Sequence, residues 1–233
     1  MTVHIPLDDV IQDIKGYTDT PAGGNLFQIR EDQILLNGEQ KKIFHSLVAK
    51  LLYISKRTRP DIQLAVNFLC TRVQAPDMDD WKTLLRVFKY LNYTKDMKSK
   101  IANVPTTDDS INLDASYGTH VDGKSHSGAI ATLGLGTIYA TSTKQKCVSK
   151  SSTEAELIAV TDLVSEGLHL KGMCEFICDK KVHLTLMQDN QATIAIIKNG
   201  KVSGKSKHVR IRLNWIKERS ESGDFNIEYK ESK

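Results

Sequence analysis

The run Ser151-Ser152-Thr153-Glu154 has the form of a capping box, with Ser151 as N-cap and Glu154 at the third helical position. It fixes where a long helix begins and therefore which way each of its residues faces. At about 100° per residue, the positions stacked with Glu156 are Ala159, Val160, Leu163, Gly167, Leu170 and Cys174, an apolar stripe. A carboxylate inside such a stripe needs a counter-charge, which a metal ion, a Lys or Arg, or a proton can supply. Glu154 shares the opposite side with Thr161, Asp162, Ser165 and His169 and is expected to face water.

Strand-like segments flank this helix. Ile111-Asn112-Leu113-Asp114 alternates apolar and polar residues and ends in an acid, and so does His183-Leu184-Thr185-Leu186-Met187-Gln188-Asp189. Gly134-Leu135-Gly136 reads as a hairpin turn between strands 127–133 and 137–142. The order is three antiparallel strands, a helix and a further strand added in parallel, which with a strand at Phe225-Asn226-Ile227-Glu228-Tyr229 makes an α/β domain with a mixed five-stranded sheet. Asp114, Glu156 and Asp189 then form a candidate set of hard oxygen ligands, suited to Mg²⁺ or Mn²⁺. Two such ions about 3.5–4 Å apart activate a water and stabilise the leaving oxygen of a phosphodiester. The sequence has no G-x-x-x-x-G-K-[ST], H-E-x-x-H or G-x-S-x-G, the signatures of NTPases, zincins and α/β hydrolases.

The net charge of +4 is unevenly spread. Between Asn190 and Lys217 lie Lys198, Lys201, Lys205, Lys207, Arg210, Arg212 and Lys217, with His208 and no acid. A basic tract next to an acidic site suits a polyanion, because phosphate contacts position a nucleic acid and release its counterions. Lys144 and Lys146, shortly before the long helix, are further candidate phosphate contacts. Ile211, Trp215 and Ile216 are expected to pack inward, leaving Arg210 and Arg212 outward; His208 is read as a capping or surface residue.

With 233 residues, 40% of them hydrophobic, the chain can bury a substantial core. It has no apolar run of about 18 residues, and its N-terminus lacks signal-peptide order, so no membrane association is expected. The four cysteines, Cys70, Cys147, Cys174 and Cys178, fit neither a disulfide scaffold nor a zinc site. Cys174 and Cys178, one helical turn apart, could coordinate a metal with His169 or His183 but are expected as buried thiols, and a reducing compartment, cytoplasmic or nuclear, is expected.

The N-terminal part has a different character. Residues 1–40 read as irregular, with Asn37-Gly38 a turn signal. A helical region at 41–97 follows, carrying apolar stripes at Phe44, Leu47, Val48, Leu51 and Leu52, then from Pro60 at Ile62, Ala65, Val66, Leu69 and Val73, then at Trp81, Leu84, Leu85, Phe88 and Leu91. A linker is placed at 98–109 and the α/β domain at 110–233. The acid pairs Asp8-Asp9, Asp79-Asp80 and Asp108-Asp109 lack flanking strand patterns and read as helix starts or loops.

Several ordered motifs resemble the copia-type retrotransposon polyproteins. Leu113-Asp114-Ala115-Ser116-Tyr117, Ser142-Thr143-Lys144-Gln145-Lys146, Ser151-Ser152-Thr153-Glu154-Ala155-Glu156-Leu157 and Gln188-Asp189-Asn190-Gln191-Ala192 are similar to their ribonuclease H domain. Phe44-His45-Ser46-Leu47-Val48-Ala49-Lys50-Leu51-Leu52-Tyr53 and Thr58-Arg59-Pro60-Asp61-Ile62 resemble the thumb or connection region at the end of their reverse transcriptase. The resemblance implies a ribonuclease H-like fold behind a mostly helical domain. It also implies two-metal hydrolysis of the RNA strand of an RNA/DNA hybrid, with Asp114, Glu156 and Asp189 as catalytic metal ligands for two Mg²⁺ or Mn²⁺ ions. Partners are then the hybrid and the remainder of a reverse transcriptase polyprotein. The family's fourth acid, on a Leu-Ala-Asp helix after the strand matching Phe225-Asn226-Ile227-Glu228-Tyr229, has no counterpart before Lys233, so an impaired site is expected. The alternative is a catalytically silent nucleic-acid-binding or connection remnant. Polymerase activity is not expected of the chain on its own.

Overall fold

In the computed structural model, Asn37 caps the first helix instead of turning the chain. Its Oδ1 accepts from the Gln40 amide at 2.9 Å and its own amide donates to Gln40 Oε1 at 3.2 Å, a reciprocal cap that starts α1 (Gly38–Arg57) ahead of residue 41. The structure describes residues 14, 16–30, 32–98, 109–116, 119–133, 136–200 and 207–231. Two compact units divide the chain, Met1–Lys98 and Ser99–Lys233.

In the first unit, α1 ends before Pro60, whose ring disfavours helix at the residue preceding it. A single 3-10 turn, Pro60–Ile62, leads into α2 (Gln63–Arg72), so the segment expected to open as helix at Pro60 begins with a tighter turn. Asp77 then caps α3 (Met78–Tyr93), accepting from the amides of Asp79 and Asp80 at 2.8 and 2.9 Å. Asp79-Asp80 thus lie in a helix start. The three stripes bury Phe44, Leu47, Val48 and Leu51 against Ala65, Val66 and Leu69 and against Leu84, Val87 and Phe88. Each fully buried Leu or Phe contributes about 1.5–3 kcal/mol, which holds helices of this length together.

The second unit opens with β1 (Asp109–Ser116), so Asp109 begins a strand and not the expected loop or helix start. β2 (His126–Leu133) and β3 (Gly136–Lys144) complete an antiparallel meander. Residues 134–135 of the expected hairpin turn, and residues 99–108 of the expected linker, lie outside the described residues. The chain continues through α4 (Ser152–Cys178), β4 (Leu184–Gln188), α5 (Gln191–Asn199), α6 (Lys207–Glu221) and β5 (Asn226–Tyr229). β4 pairs in parallel with β1, and β5 in parallel with β4, giving the strand order β3-β2-β1-β4-β5. A parallel neighbour requires a long crossover, which α4 supplies before β4 and α5 with α6 supply before β5.

The core of this unit joins Ala129 and Ala131 of β2, Leu184 and Leu186 of β4, and Ile227 of β5 to Leu157, Val160, Leu163 and Val164 of α4 and to Val209, Leu213 and Ile216 of α6. α6 therefore packs through Val209, Leu213 and Ile216, with Trp215 partly buried. Ile211, expected inward, is 59% exposed. The spacing 209, 213, 216 is itself helical, so two stripes competed on this element.

Candidate nucleic-acid and metal site

The strand ladder sets the positions of two of the three acids. β1 and β4 pair in register as far as Asn112 opposite Met187. Asp114 lies two residues beyond the first of these, within β1, and Asp189 two beyond the second, just past the end of β4. Asp114 is opposite Gly128 on the other side. Beside this end of the sheet, α4 runs from its N-cap, where Ser151 Oγ accepts from the Glu154 amide at 3.2 Å. The third acid, Glu156, lies in the first turns of that helix and is 6% exposed.

Glu156 faces the protein as the helical wheel predicts, but Glu154 departs from expectation. It is 4% exposed, and its Oε2 accepts from the Lys150 amide at 3.0 Å, one residue before the cap. Thr161, expected on the same wet side, is buried as well. The first turns of α4 are covered all round, because α4 packs on β1, β2 and β4 and also against α5 and α6. A single amphipathic stripe does not describe a helix enclosed in this way.

Two residues that sequence reasoning passed over hold this end together. Gln145 is buried and donates through Nε2 to Ser127 Oγ at 2.8 Å and to the Ala155 carbonyl at 2.9 Å, joining β2 to the start of α4. Gln188, fully buried, donates through Nε2 to Glu156 Oε2 at 2.7 Å. Its Oε1 is buried with no hydrogen-bond partner among the described residues. The sequence held one signal for Gln188: it alternates with Leu184 and Leu186 and so occupies a polar position on an apolar strand face.

The donor set suits a hard divalent cation. Carboxylate oxygens on a helix and at strand ends, one of them already held by an amide, match what Mg²⁺ and Mn²⁺ prefer. Among the described residues, no group of three or more His, Cys, Asp and Glu stands close enough to hold an ion; the side chain of Asp114 falls outside them. His169 and His183 are exposed, as is Cys178, which corrects its reading as a buried thiol, while Cys70, Cys147 and Cys174 are half-buried.

The basic residues separate into distinct groups. Lys146, Lys198, Lys207 and Arg210 are exposed. Lys144 pairs through Nζ with Asp122 at 2.9 Å. Arg212, expected to point outward, donates to the buried Thr161 hydroxyl at 3.0 Å and pairs with Asp162, so it ties α6 to α4. Lys201, Lys205 and the side chain of His208 lie outside the described residues. Close to Lys144, His126 is buried between His120 Nε2 at 3.1 Å and Ser142 Oγ at 2.7 Å. Burial, reinforced by repulsion from His120, lowers the His126 pKa to about 4.

An antiparallel meander, a long crossover helix and parallel outer strands define the second unit as a ribonuclease H-like α/β fold preceded by a helical region. The chain belongs to the copia/Ty1-type retrotransposon Pol polyproteins. It is 30% identical over 184 residues to the Retrovirus-related Pol polyprotein from transposon TNT 1-94 of Nicotiana tabacum, a match covering 78% of this chain and 14% of that polyprotein. It thus spans only a small part of that relative's length. Secreted RxLR effector protein 161 of Plasmopara viticola is 31% identical over 126 residues, 54% of this chain and 89% of that protein. Among solved structures, LC11-RNase H1 isolated from compost aligns with 54% of this chain and 85% of its own, at a TM-score of 0.40 and 14% identity. No family model matches the chain. Among the described residues, no helix is long and apolar enough to cross a membrane.

Proposed function

We propose that the second unit is a ribonuclease H-type domain that grips RNA/DNA hybrids and whose hydrolytic step is impaired. The observation that supports this reading is the β1–β4 register, whose continuation past Met187 would bring Asp189 level with Asp114, near the helix that bears Glu156. Membership in the polyprotein family supports the nucleic-acid substrate. Asp114, Glu156 and Asp189 would hold Mg²⁺ or Mn²⁺, and the ion supplies an activated water and a stabilised leaving oxygen when bound. The chain's own cations do the positioning. Lys146, Lys198, Lys207 and Arg210 are exposed and, among the described residues, enter no ion pair of the kind that engages Lys144 and Arg212; they meet the phosphates, with Lys201 and Lys205 assigned to the same track. Among the described residues, which do not include the Asp114 side chain, no group of three or more His, Cys, Asp and Glu could hold an ion.

A second reading, full two-metal cleavage of the RNA strand, is favoured by one observation: Glu156 is buried and hydrogen-bonded as a supported ligand would be. Incubating the chain with a labelled RNA/DNA hybrid and with a DNA duplex, with and without Mn²⁺, separates the readings. Hybrid retention in a binding assay with slow or no release of RNA fragments is the expected result. Rapid metal-dependent fragmentation establishes the second reading, and failure to retain the hybrid removes both.

A further inference from the structure

Gln188 presents an unusual pair of facts. Its amide nitrogen is spent on Glu156 Oε2 at 2.7 Å, whereas its amide oxygen, equally buried, has no partner among the described residues. Leaving a buried carbonyl unpaired costs about 1–3 kcal/mol. A flip of the amide does not relieve that cost, since it would set Oε1 against the carboxylate. The covalent geometry of an amide keeps its oxygen about 2.2 Å from its nitrogen, so Oε1 stays within about 5 Å of Glu156 Oε2. A partner for Oε1 must therefore be a donor that arrives next to Glu156. A hard divalent cation brings such donors with it, because Mg²⁺ retains several of its waters and each bound water is a polarised O–H donor.

We infer that Gln188 is a positioning residue for the acidic site, orienting Glu156 through Nε2 and accepting through Oε1 a hydrogen bond from a water bound to a divalent cation. The inference rests on the metal reading of Asp114, Glu156 and Asp189 given above. It differs from a structural role in a definite way: a purely structural glutamine supports the fold equally with and without the ion, whereas this one couples to the ion. Supporting hydrogen bonds of this kind change metal affinity by about 10- to 100-fold.

The test measures Mn²⁺ binding to the full chain by the loss of the free-ion electron paramagnetic resonance signal, which needs no catalysis. Gln188→Met keeps the volume and removes both polar atoms; its affinity is expected to fall by about tenfold or more. Gln188→Glu keeps the shape but sets a second carboxylate against Glu156, so its Mn²⁺ affinity is expected to rise more steeply with pH than that of the parent chain. A measurement on the parent alone covers the case in which neither variant folds: the Gln188 side-chain amide resonances are expected to shift on saturation with Mg²⁺. If the parent binds no Mn²⁺, the metal reading falls and this inference with it. If the parent binds and both variants match its affinity and pH slope, or the amide resonances stay in place, the role of Gln188 alone is overturned.

Discussion

The Arg212 guanidinium donates to the Thr161 hydroxyl at 3.0 Å and pairs with Asp162, so a cation from the basic tract is committed to fastening α6 onto α4. Its neighbour Arg210 is exposed and makes no such contact among the described residues. Arg212→Gln is expected to cost about 1 kcal/mol of stability, since the ion pair is partly exposed and the hydrogen bond is charge-assisted. It should leave the salt dependence of hybrid binding unchanged. Arg210→Gln is expected to do the reverse, with stability within about 0.5 kcal/mol and a salt slope lowered by about one. Urea denaturation and hybrid affinity over a salt series check both.

Asp114 gives a second prediction. Binding of Mg²⁺ or Mn²⁺ to the folded chain alone stabilises it by about 2.7 kcal/mol at a hundred times Kd, which thermal denaturation reads as a rise in Tm. In Asp114→Asn the rise is expected to disappear. An equal rise in the variant and the parent chain would remove Asp114 from the ligand set.

The His120–His126–Ser142 cluster predicts a pH dependence. Burial first, then repulsion from His120, lowers the His126 pKa from 6.5 to about 4, and burial depresses His120 as well. The unfolded chain takes up a proton near pH 6.5 that folded His126 refuses until about pH 4. Stability from this group is therefore complete above the unfolded value and declines between these limits, by on the order of 3 kcal/mol. Asp122, held at about 2 chiefly by Lys144, loses its own contribution only at lower pH, below this window. Unfolding free energies between pH 7.5 and 4 should show the decline, and His126→Gln should flatten it.

In the first unit, Arg72 bonds both Asp77 and Asp80 at 3.0 Å, and the two acids that cap α3 are each 4% exposed. Removing their counter-charge leaves two buried carboxylates facing each other. Arg72→Met is expected to cost about 3 kcal/mol, seen as an earlier loss of helical circular dichroism on heating. Arg72→Lys should recover only part of it, because an ammonium cannot reproduce the two-pronged contact.

The features legible in the sequence were those set by local periodicity. The Ser151 cap, the inward position of Glu156, the helical stripes of the first unit and the strands around Asp114 and Asp189 all follow from spacing within one segment. What escaped was set by neighbours distant in the chain. Glu154 and Thr161 are buried because other elements close over α4, and Arg212 turns to α4 because Thr161 and Asp162 are there to receive it. Ile211 lost to Val209 and Leu213 because two stripes fit one helix and only packing selects between them. Gln145 and Gln188 were passed over because a neutral amide carries no chemical signature until its partners are known. Asn37-Gly38 has the composition of a turn, and only the return bond from Gln40 identifies it as a cap.

The level ladder between β1 and β4 has one more effect. Acids on neighbouring strands repel one another, so nothing in their own charge favours keeping them side by side. Sliding β4 by a single step would turn Leu184 and Leu186 out of the interior, and that penalty is what fixes the register in which Asp189 follows β4 while Asp114 lies in β1. Greasy side chains thus set the alignment of the two segments on which these acids lie.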